Sequence, residues 1–468
     1  MTMNGDGAAT DGGGKGRAAV APQLLSGFRD FLPKEMLLRQ RVLDILREVF
    51  ERHGYEPLDT PALEYAATLT GKYGEDEKLL YRFTDHGGRE VGLRYDLTVP
   101  LARVAAQHAN DLVLPFKRYH IAPVWRGDRP QRGRFREFYQ CDVDTVGSPS
   151  MLADAESVAT VAEALARLGF PEFTIQINHR GIIKGLALLA GVAPERAGQV
   201  YRSVDKIEKI GAEGVRAELI ERGVAPEAAE RVLGLVTLGG ADDEILAELR
   251  VRAAGLGEML DGVADLERLL GHLAALGVPR ERYALRLSMV RGLDYYTGPV
   301  FEIATDRPKV GSIGGGGRYD RLIGSFSGRD VPASGFSLGL ERIFEVIREH
   351  ALLPEARSVA QILVAIVRER GGGHEAGGDD GTGAALALVR ELREAAPWVR
   401  AEVYLNERRG LPDQFKYADR KGVPLVALAG LDERARGVVK LRDLRSGEER
   451  AVPRAALAET VREMLAGA

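Results

Sequence analysis

One cysteine, Cys141, stands in 468 residues, which excludes an intramolecular disulfide and a cysteine-built metal cluster. Long apolar runs are missing too. The longest clear one, QILVAIV at 361–367, has strand length and falls far short of the roughly 20 residues a membrane helix needs. The eight histidines are scattered, no HExxH occurs, and none of the serines is read as a nucleophile elbow, so a metal centre and a triad hydrolase are both disfavoured. No sign of charge dominates: 64 Lys and Arg stand against 68 Asp and Glu, a formal charge of -4, with an isoelectric point near 6.2. A polyanionic partner must therefore be met by local basic patches. The start, MTMNGDGAATDGGGKGRAAVAPQ, lacks the apolar core of a secretory leader and reads as a disordered tail over 1–22. A soluble chain in a reducing cytoplasm, with no membrane span, is the expectation.

What is present divides the chain into several units, since its length exceeds one ordinary core. From 34 to 53 the apolar residues Met36, Leu38, Val42, Ile45, Val49 and Phe50 fall at helical steps, and Gly54 then stops the helix. In YEPLDTPALEY, Pro57 and Pro61 forbid a helix but permit an edge or interface strand. Two strands joined by RGDRPQRG form a long antiparallel hairpin; the second alternates Phe135, Glu137, Tyr139 and Cys141 against Arg136, Phe138, Gln140 and Asp142. A helix is expected over 150–169 and a strand over 173–177. The Glu-, Ala- and Leu-rich block 179–278 reads as a locally self-contained helical insertion. Strand signals return at 283–290 and 299–304. After Pro354, strands at 361–367, 400–405 and 424–429 alternate with helices at 383–396 and 413–421, which marks a separate small α/β domain over 357–468. The polar Gly-rich stretch at 371–384 has no packing capacity of its own. The expected class is α+β, with units at 23–178, 179–278, 279–353 and 357–468.

Chemistry concentrates in four stretches. Arg126, Arg129, Arg132, Arg134 and Arg136 crowd the turn end of the hairpin, and a planar guanidinium holds phosphate oxygens by two parallel bonds. Behind them Phe138, Gln140, Asp142 and Asp144 share a strand face, offering a surface for a base and carboxylates for a ligand N–H. Pattern alone leaves open whether that face meets a ligand or packs on a neighbouring sheet. GSIGGGGRYD is no Walker motif and no dinucleotide fingerprint; it is a flexible turn or, given Arg318, Tyr319 and Asp320, a polar site wall. GFSLGLERI sets Gly335 and Gly339 at a strand-to-helix junction with Arg342 at the helix start, for a tight contact or for room above a sheet. VRGLDYYTGPVFEI, 290–303, loads an apolar strand with hydrogen-bonding groups just where it begins.

Taken in order, these segments resemble a class II aminoacyl-tRNA synthetase, and more narrowly the histidyl-tRNA synthetase family. Gly54 to Pro61 is similar to its first motif, which builds a homodimer interface; VWRGDRPQRGRFREFYQCDVD is similar to its second and GFSLGLERI to its third. RGLDYYTG and GGGGRYD resemble the two stretches peculiar to the histidine enzyme. SVDKIEKIG and DQFKYADRKGVPLVAL resemble its insertion and its last domain, so the likeness runs from about 24 to 465. The resemblance implies a core of antiparallel sheet flanked by helices, a helical insertion and a C-terminal anticodon-binding α/β domain. It also implies a ligase that joins L-histidine, activated by ATP with Mg²⁺, to tRNA-His.

Carried over residue by residue, Arg126 and Arg291 are its catalytic residues, both at the α-phosphate. Asp96, Thr98 and Gln140 hold the histidine ammonium, Asp144 accepts from the imidazole, and Tyr295, Tyr296 and Tyr319 line that pocket. Phe138 stacks on adenine, Asp128 and Arg134 belong to the ATP site, and Arg342 takes the terminal phosphates with Mg²⁺ bridging; no protein metal site is implied. Arg129, Gln131 and Arg132 are candidates for the acceptor end of tRNA, Lys416 and Arg420 for the anticodon or simply for solvated helix charge. Two departures stand out. Asp128 replaces the usual Glu, and YDLT replaces the Pro-Glu-Gly-Thr common in bacterial relatives while keeping a carboxylate and a hydroxyl. A non-catalytic synthetase-like regulatory subunit of ATP phosphoribosyltransferase, or a class II synthetase for another amino acid, are the competing readings. The former generally lacks the last domain, and RGLDYYTG argues against the latter.

Overall fold

The computed structural model describes residues 21–193, 196–290, 295–305, 307–308, 310–368 and 381–466. Most of the amino-terminal tail, most of the Gly-rich stretch and Arg291 lie outside the described residues.

The first helix, Pro33–Arg52, has Pro at its first position, where the missing N–H costs nothing. Its apolar stripe, Leu38, Val42, Ile45, Leu46, Val49 and Phe50, is buried against helix Met151–Arg167, whose N-cap Ser150 accepts the Leu152 N–H at 3.2 Å. Gly54, at φ +74, turns the chain into strand β1 (Glu56–Pro57). Then come β2 (Leu63–Tyr65), β3 (Arg82–Thr84) and β4 (Glu90–Leu93), a small three-stranded sheet.

β5 (Phe116–Trp125) and β6 (Glu137–Val146) form the long hairpin, in register from Phe116↔Val146 to Trp125↔Glu137. They are followed by β7 (Thr174–His179), β8 (Tyr283–Leu285), β9 (Pro299–Ala304), β10 (Gly314–Arg318) and β11 (Ala333–Gly339). Eight strands assemble in the order β1-β5-β6-β11-β10-β9-β7-β8. Only the β1–β5 and β7–β8 pairs are parallel, so the sheet is largely antiparallel and the architecture is α+β. β1 closes one edge, the place open to its Pro57.

The glycine run is neither a turn nor a loop. Gly314 to Arg318 is β10, paired on both sides, with β11 and β9. Glycine is a poor strand former, but here the flanking strands supply the order: Phe301 and Phe336 stack at 5.7 Å on either side of Gly316. A Cβ at Gly316 would lie 2.2 Å from the Gly335 carbonyl oxygen.

Between β7 and β8 the described residues form six α-helices from Arg180 to Ala275. Their apolar residues, Ile182, Val200, Leu219, Val232, Leu249 and Leu266 among them, belong to one continuous cluster with Val158 of helix Met151–Arg167 and with Ile175 and Phe336 of the sheet. The insertion is therefore packed onto the core. The C-terminal part carries β12 (Ile362–Val364), β13 (Ala401–Val403), β14 (Leu425–Leu428), β15 (Val438–Asp443) and β16 (Glu449–Pro453). Its five-stranded sheet, ordered β13-β12-β14-β15-β16, has its own apolar clusters. The β15–β16 hairpin and helix Leu457–Ala466 follow the three strands and two helices expected there.

Candidate active site

The large sheet presents one face in rows. One row runs His120, Asp142, Ser337, Gly315, Glu302; the next runs Arg118, Asp144, Gly335, Gly317, Val300. Polar groups occupy the hairpin side and glycines the middle. A Cβ at Gly335 would sit 2.0 Å from the Asp144 carboxylate, and one at Gly317 would sit 2.9 Å from the Tyr296 ring. Those glycines let side chains lie across the sheet. Above them is a cavity of about 420 Å³ lined by Asp96, Thr98, Arg126, Asp128, Arg134, Phe138, Gln140, Tyr295, Tyr296 and Arg342, well inside the ordinary range for a ligand pocket.

One end is acidic and phenolic. Asp96 accepts hydrogen bonds from the hydroxyls of Tyr73 at 3.1 Å and Tyr295 at 3.3 Å, and from the Val99 N–H at 3.0 Å. These bonds fix its carboxylate at the start of helix Thr98–Gln107. Burial raises its pKa, against the opposing pull of those donors and of Arg126. Gln140 donates to the Ser337 hydroxyl. Asp144 and Tyr319 do not line the cavity, contrary to the expectation that they meet the imidazole directly. Both are buried behind it, with the Tyr319 hydroxyl donating to Asp144. Arg118, which is fully buried, places Nη2 2.9 Å from Asp144 Oδ2 and 3.0 Å from the Leu97 carbonyl oxygen. Next to it the Asp142 carboxylate makes no well-aligned hydrogen bond, with the Arg118 charge and the Ser337 hydroxyl nearby to favour its ionised form. Burial, only partly offset by Arg118 and reinforced by Asp144, pushes Asp142 up to about 8.

The other end is cationic. Arg126 donates from Nε to the Tyr95 carbonyl oxygen at 3.0 Å and from Nη2 to Gln140 at 3.3 Å, and its guanidinium lies 4.2 Å from the Tyr95 ring centroid and 5.1 Å from that of Phe138. Arg134 is held by Asp128 at 2.7 Å, so Asp128 orients a guanidinium. Arg342 donates to the Ser312 carbonyl oxygen. Its pKa is lowered first by burial, then by the charges of Arg134 and Arg126. Three guanidiniums from the hairpin and from helix Leu340–His350 thus crowd one end of the cavity.

Other candidates lie elsewhere. Arg132 is an exposed residue paired with Glu345 at 2.7 Å, while Arg129 and Gln131 are exposed at the hairpin tip. Lys416 and Arg420 sit exposed on helix Leu411–Lys421 of the C-terminal part. Arg136, expected on the Phe138 face, instead donates to the carbonyl oxygens of Asp128 at 3.1 Å and Ser26 at 3.2 Å. Phe135, expected on the opposite face, lines the cavity. The reason is that β6 begins at Glu137, so neither residue obeys its alternation. Arg318 is an anchor: buried, it grips Asp154 and the carbonyl oxygens of Ser148 at 3.0 Å and Ser150 at 2.9 Å. Ser337 satisfies the letters G-x-S-x-G in GFSLG, yet it lies within β11 and no strained turn exposes it, so it is no elbow. Sequence reasoning missed Arg118, whose signal was a charge in the strand-period stretch PFKRYHIAPVW, and Glu302, the carboxylate of VFEI, which lines the cavity.

A family model described as histidyl-tRNA synthetase matches residues 27–343, and one for an anticodon binding domain matches 361–464. The chain belongs to the histidyl-tRNA synthetase family. It is 41% identical to the histidine–tRNA ligase of Gloeobacter violaceus, with 95% of this chain and 98% of that protein covered. Against the histidine–tRNA ligase of Aeropyrum pernix the identity is 42%, over 96% and 99% of the two chains. Among solved structures, the crystal structure of histidyl-tRNA synthetase from Nostoc sp. PCC 7120 superposes with a TM-score of 0.82 at 32% identity, covering 95% of this chain and all of that one. A Bacillus halodurans structure titled as an ATP phosphoribosyltransferase regulatory subunit/histidyl-tRNA synthetase gives 0.71 at 24% identity, covering 86% of this chain and 97% of that one. That likeness speaks for the fold alone.

Proposed function

We propose that the chain is a histidine–tRNA ligase that activates L-histidine with ATP and transfers the histidyl group to the 3′ end of tRNA-His. The observation that carries this is the polarity of one cavity, with carboxylate and phenol groups at one end and three guanidiniums at the other. An amino acid carrying an ammonium and a ring donor fits the first end; a nucleoside triphosphate fits the second. Histidine-dependent exchange of pyrophosphate into ATP, measured with all twenty amino acids, tests the reading; exchange with another amino acid and not histidine defeats it.

In this reading Asp96, Thr98 and Gln140 take the ammonium, and Tyr295 and Tyr296 wall the imidazole. Asp144 and Tyr319 act from behind that wall, setting charge and polarity. The histidine carboxylate attacks the α-phosphorus and pyrophosphate leaves; a terminal ribose hydroxyl of tRNA then attacks the acyl carbonyl and releases AMP. The chain supplies position and positive charge for a phosphate whose negative charge builds up in the transition state. Arg126 serves there, together with Arg291 by resemblance; Phe138 faces the base, with Arg134, oriented by Asp128, beside it. Arg291→Ala is expected to depress pyrophosphate exchange far more than histidine binding, and near-normal exchange would refute its role.

Mg²⁺ enters with ATP as part of the substrate. Glu341 is engaged by Arg39 at 2.8 Å and by the Tyr139 N–H at 3.0 Å, and Asp128 by Arg134. Among the described residues no group of three metal-ligating side chains occurs, so the phosphates and water would supply most ligands, as Mg²⁺ prefers.

The same proposal divides the labour: 23–178 and 279–353 as catalytic core, 179–278 as insertion, 357–468 as the anticodon-reading part with Lys416 and Arg420 as candidates, and the hairpin tip, Arg129, Gln131 and Arg132, toward the acceptor end. Homodimerisation through the region of β1, which lies exposed at one edge of the sheet, belongs to it as well. No described helix is long and apolar enough to cross a membrane; a cytoplasmic enzyme is the corresponding proposal.

A further inference from the structure

A second cavity, of about 590 Å³, opens beside the tyrosine wall. Tyr295 and Tyr296 line both cavities, so the second is separated from the first only by the groups assigned to the imidazole. Cationic side chains from three stretches reach it: Lys72 from the turn after helix Ala66–Leu69, Arg180 and Lys184 from helix Arg180–Leu189, and Arg321 just beyond Tyr319. Its own carboxylate, Glu77, is occupied by the backbone N–H groups of Gly71 and Lys72. Lys184 is paired with Glu258 at 2.8 Å, but both side chains are exposed, a pairing of little strength. Among the described residues, Lys72, Arg180 and Arg321 have no ion-pair partner.

A solvated basic face is the ordinary account of such charges. Arg180 does not fit it. Its Nε is out of contact with solvent and donates to nothing, a state that costs free energy, and the same side chain lines the cavity with no ion pair among the described residues to hold its charge. Nor is Arg180 placed by accident. Its backbone N–H donates to the Gly298 carbonyl oxygen at 2.9 Å, and the preceding His179 meets Asp265 at 3.2 Å. The following Gly181 packs so closely on helix Gly257–Ala275 that a Cβ would lie 2.2 Å from the Glu258 carbonyl oxygen. The junction of core and insertion thus fixes where this guanidinium starts.

We propose that this cavity binds phosphodiester groups of the unpaired 3′-terminal strand of the RNA substrate. The inference rests on the reading that the chain transfers histidine to RNA. The terminal ribose must reach a carbonyl carbon only a few bonds from the imidazole that the tyrosines wall, while the guanidinium end of the first cavity is taken by ATP. The second cavity borders that wall and carries phosphate-binding chemistry. Released pyrophosphate shares that chemistry, and the experiment separates the two.

In the full-length protein, Arg180→Gln and the Lys72→Gln/Arg321→Gln pair are compared with wild type, with Arg180→Lys as the conservative control and melting temperature as the check on folding. Histidine-dependent pyrophosphate exchange is expected to stay close to wild type, including its KM for pyrophosphate. Single-turnover transfer from preformed histidyl-adenylate to a tRNA-His transcript is expected to fall about tenfold or more. The log–log salt dependence of the KM for tRNA should become shallower by about 0.7 for each phosphate that the variant no longer neutralises. Arg180→Lys should keep most of the transfer. Unchanged transfer overturns the proposal. So does a raised KM for pyrophosphate, or exchange and melting temperature falling in step with transfer. A wild-type protein with no histidine-dependent exchange would instead sink the functional reading beneath it.

Discussion

The two ends of the main cavity carry opposite charge and are built in opposite ways. At the acidic end the groups are buried, and all but Asp142 are engaged with one another: Asp96 accepts from two phenols and a backbone N–H, and Asp144 accepts from Tyr319 and is ion-paired with Arg118. At the cationic end Arg126 is half-buried and Arg134 exposed, and the three guanidiniums are held mostly by backbone carbonyls and a single carboxylate. The contrast follows from cost. An isolated carboxylate at the floor of a sheet loses its hydration and must find donors within the protein. Guanidiniums near water lose less and can keep donors free for a ligand that arrives with its own negative charge. In the proposed reading the first end selects and the second neutralises.

The sharpest way to break this comparison is at the cationic end. Arg126→Ala should reduce histidine-dependent pyrophosphate exchange by about a hundredfold or more, by analogy with removing one donor from a site of developing charge, while the folding free energy changes little. Equal losses of stability and activity would mean that Arg126 is structural and that the two ends do not differ. At the acidic end the order should reverse. Arg118→Met leaves Asp142 and Asp144 buried without their cation and should cost about 3–5 kcal/mol in a urea titration. A loss under about 1 kcal/mol would show that the carboxylates are neutral without it.

Asp142 sharpens the same point through pH. Its folded pKa of about 8 lies above the unfolded value, so the folded state binds the extra proton. This group's contribution is present below about pH 4 and is lost as pH rises toward 8. Asp142→Asn should therefore raise stability at pH 9 relative to pH 5, read from denaturation midpoints at the two values; a variant that parallels wild type at both would count against a buried acid that holds its proton up to about pH 8. The smallest effect belongs to His53, away from the cavity, between Glu156 at 3.4 Å and Glu163 at 2.8 Å. Its pKa is raised first by the Glu156 hydrogen bond, against burial. That stabilisation is complete below about pH 6.5 and fades as pH rises through the folded value. His53→Gln should flatten stability above pH 6 by no more than about 1 kcal/mol and leave exchange untouched.

Legibility in the sequence followed locality. Helix Pro33–Arg52 and strand β6 were readable because an apolar stripe at helical steps and an alternation of two report burial along a single element. The roles of Phe138, Gln140 and Arg342 came from motif resemblance, and the structure brings all three to one cavity. Alternation failed at Phe135 and Arg136, where β6 had not yet begun. The glycine run misled because its strand character is imposed by Phe301 and Phe336 on its neighbours. Arg318 and Tyr319, read as wall, proved to be an anchor and a support. Arg118 and Arg180 could not be singled out as basic residues, since what distinguishes each is a partner, or the lack of one, far along the chain.

By itself the sequence determined the segments whose apolar periodicity marks them as helix or strand, the absence of disulfides, and the residue types available for phosphate and imidazole, because those depend on near neighbours and on composition. Only the tertiary structure decided which carboxylates are sealed behind the wall, which guanidiniums face a cavity, and that two tyrosines serve two cavities at once. Burial and pairing are properties of residues brought together from more than a hundred positions apart, such as Tyr319 with Asp144, and no local pattern records them.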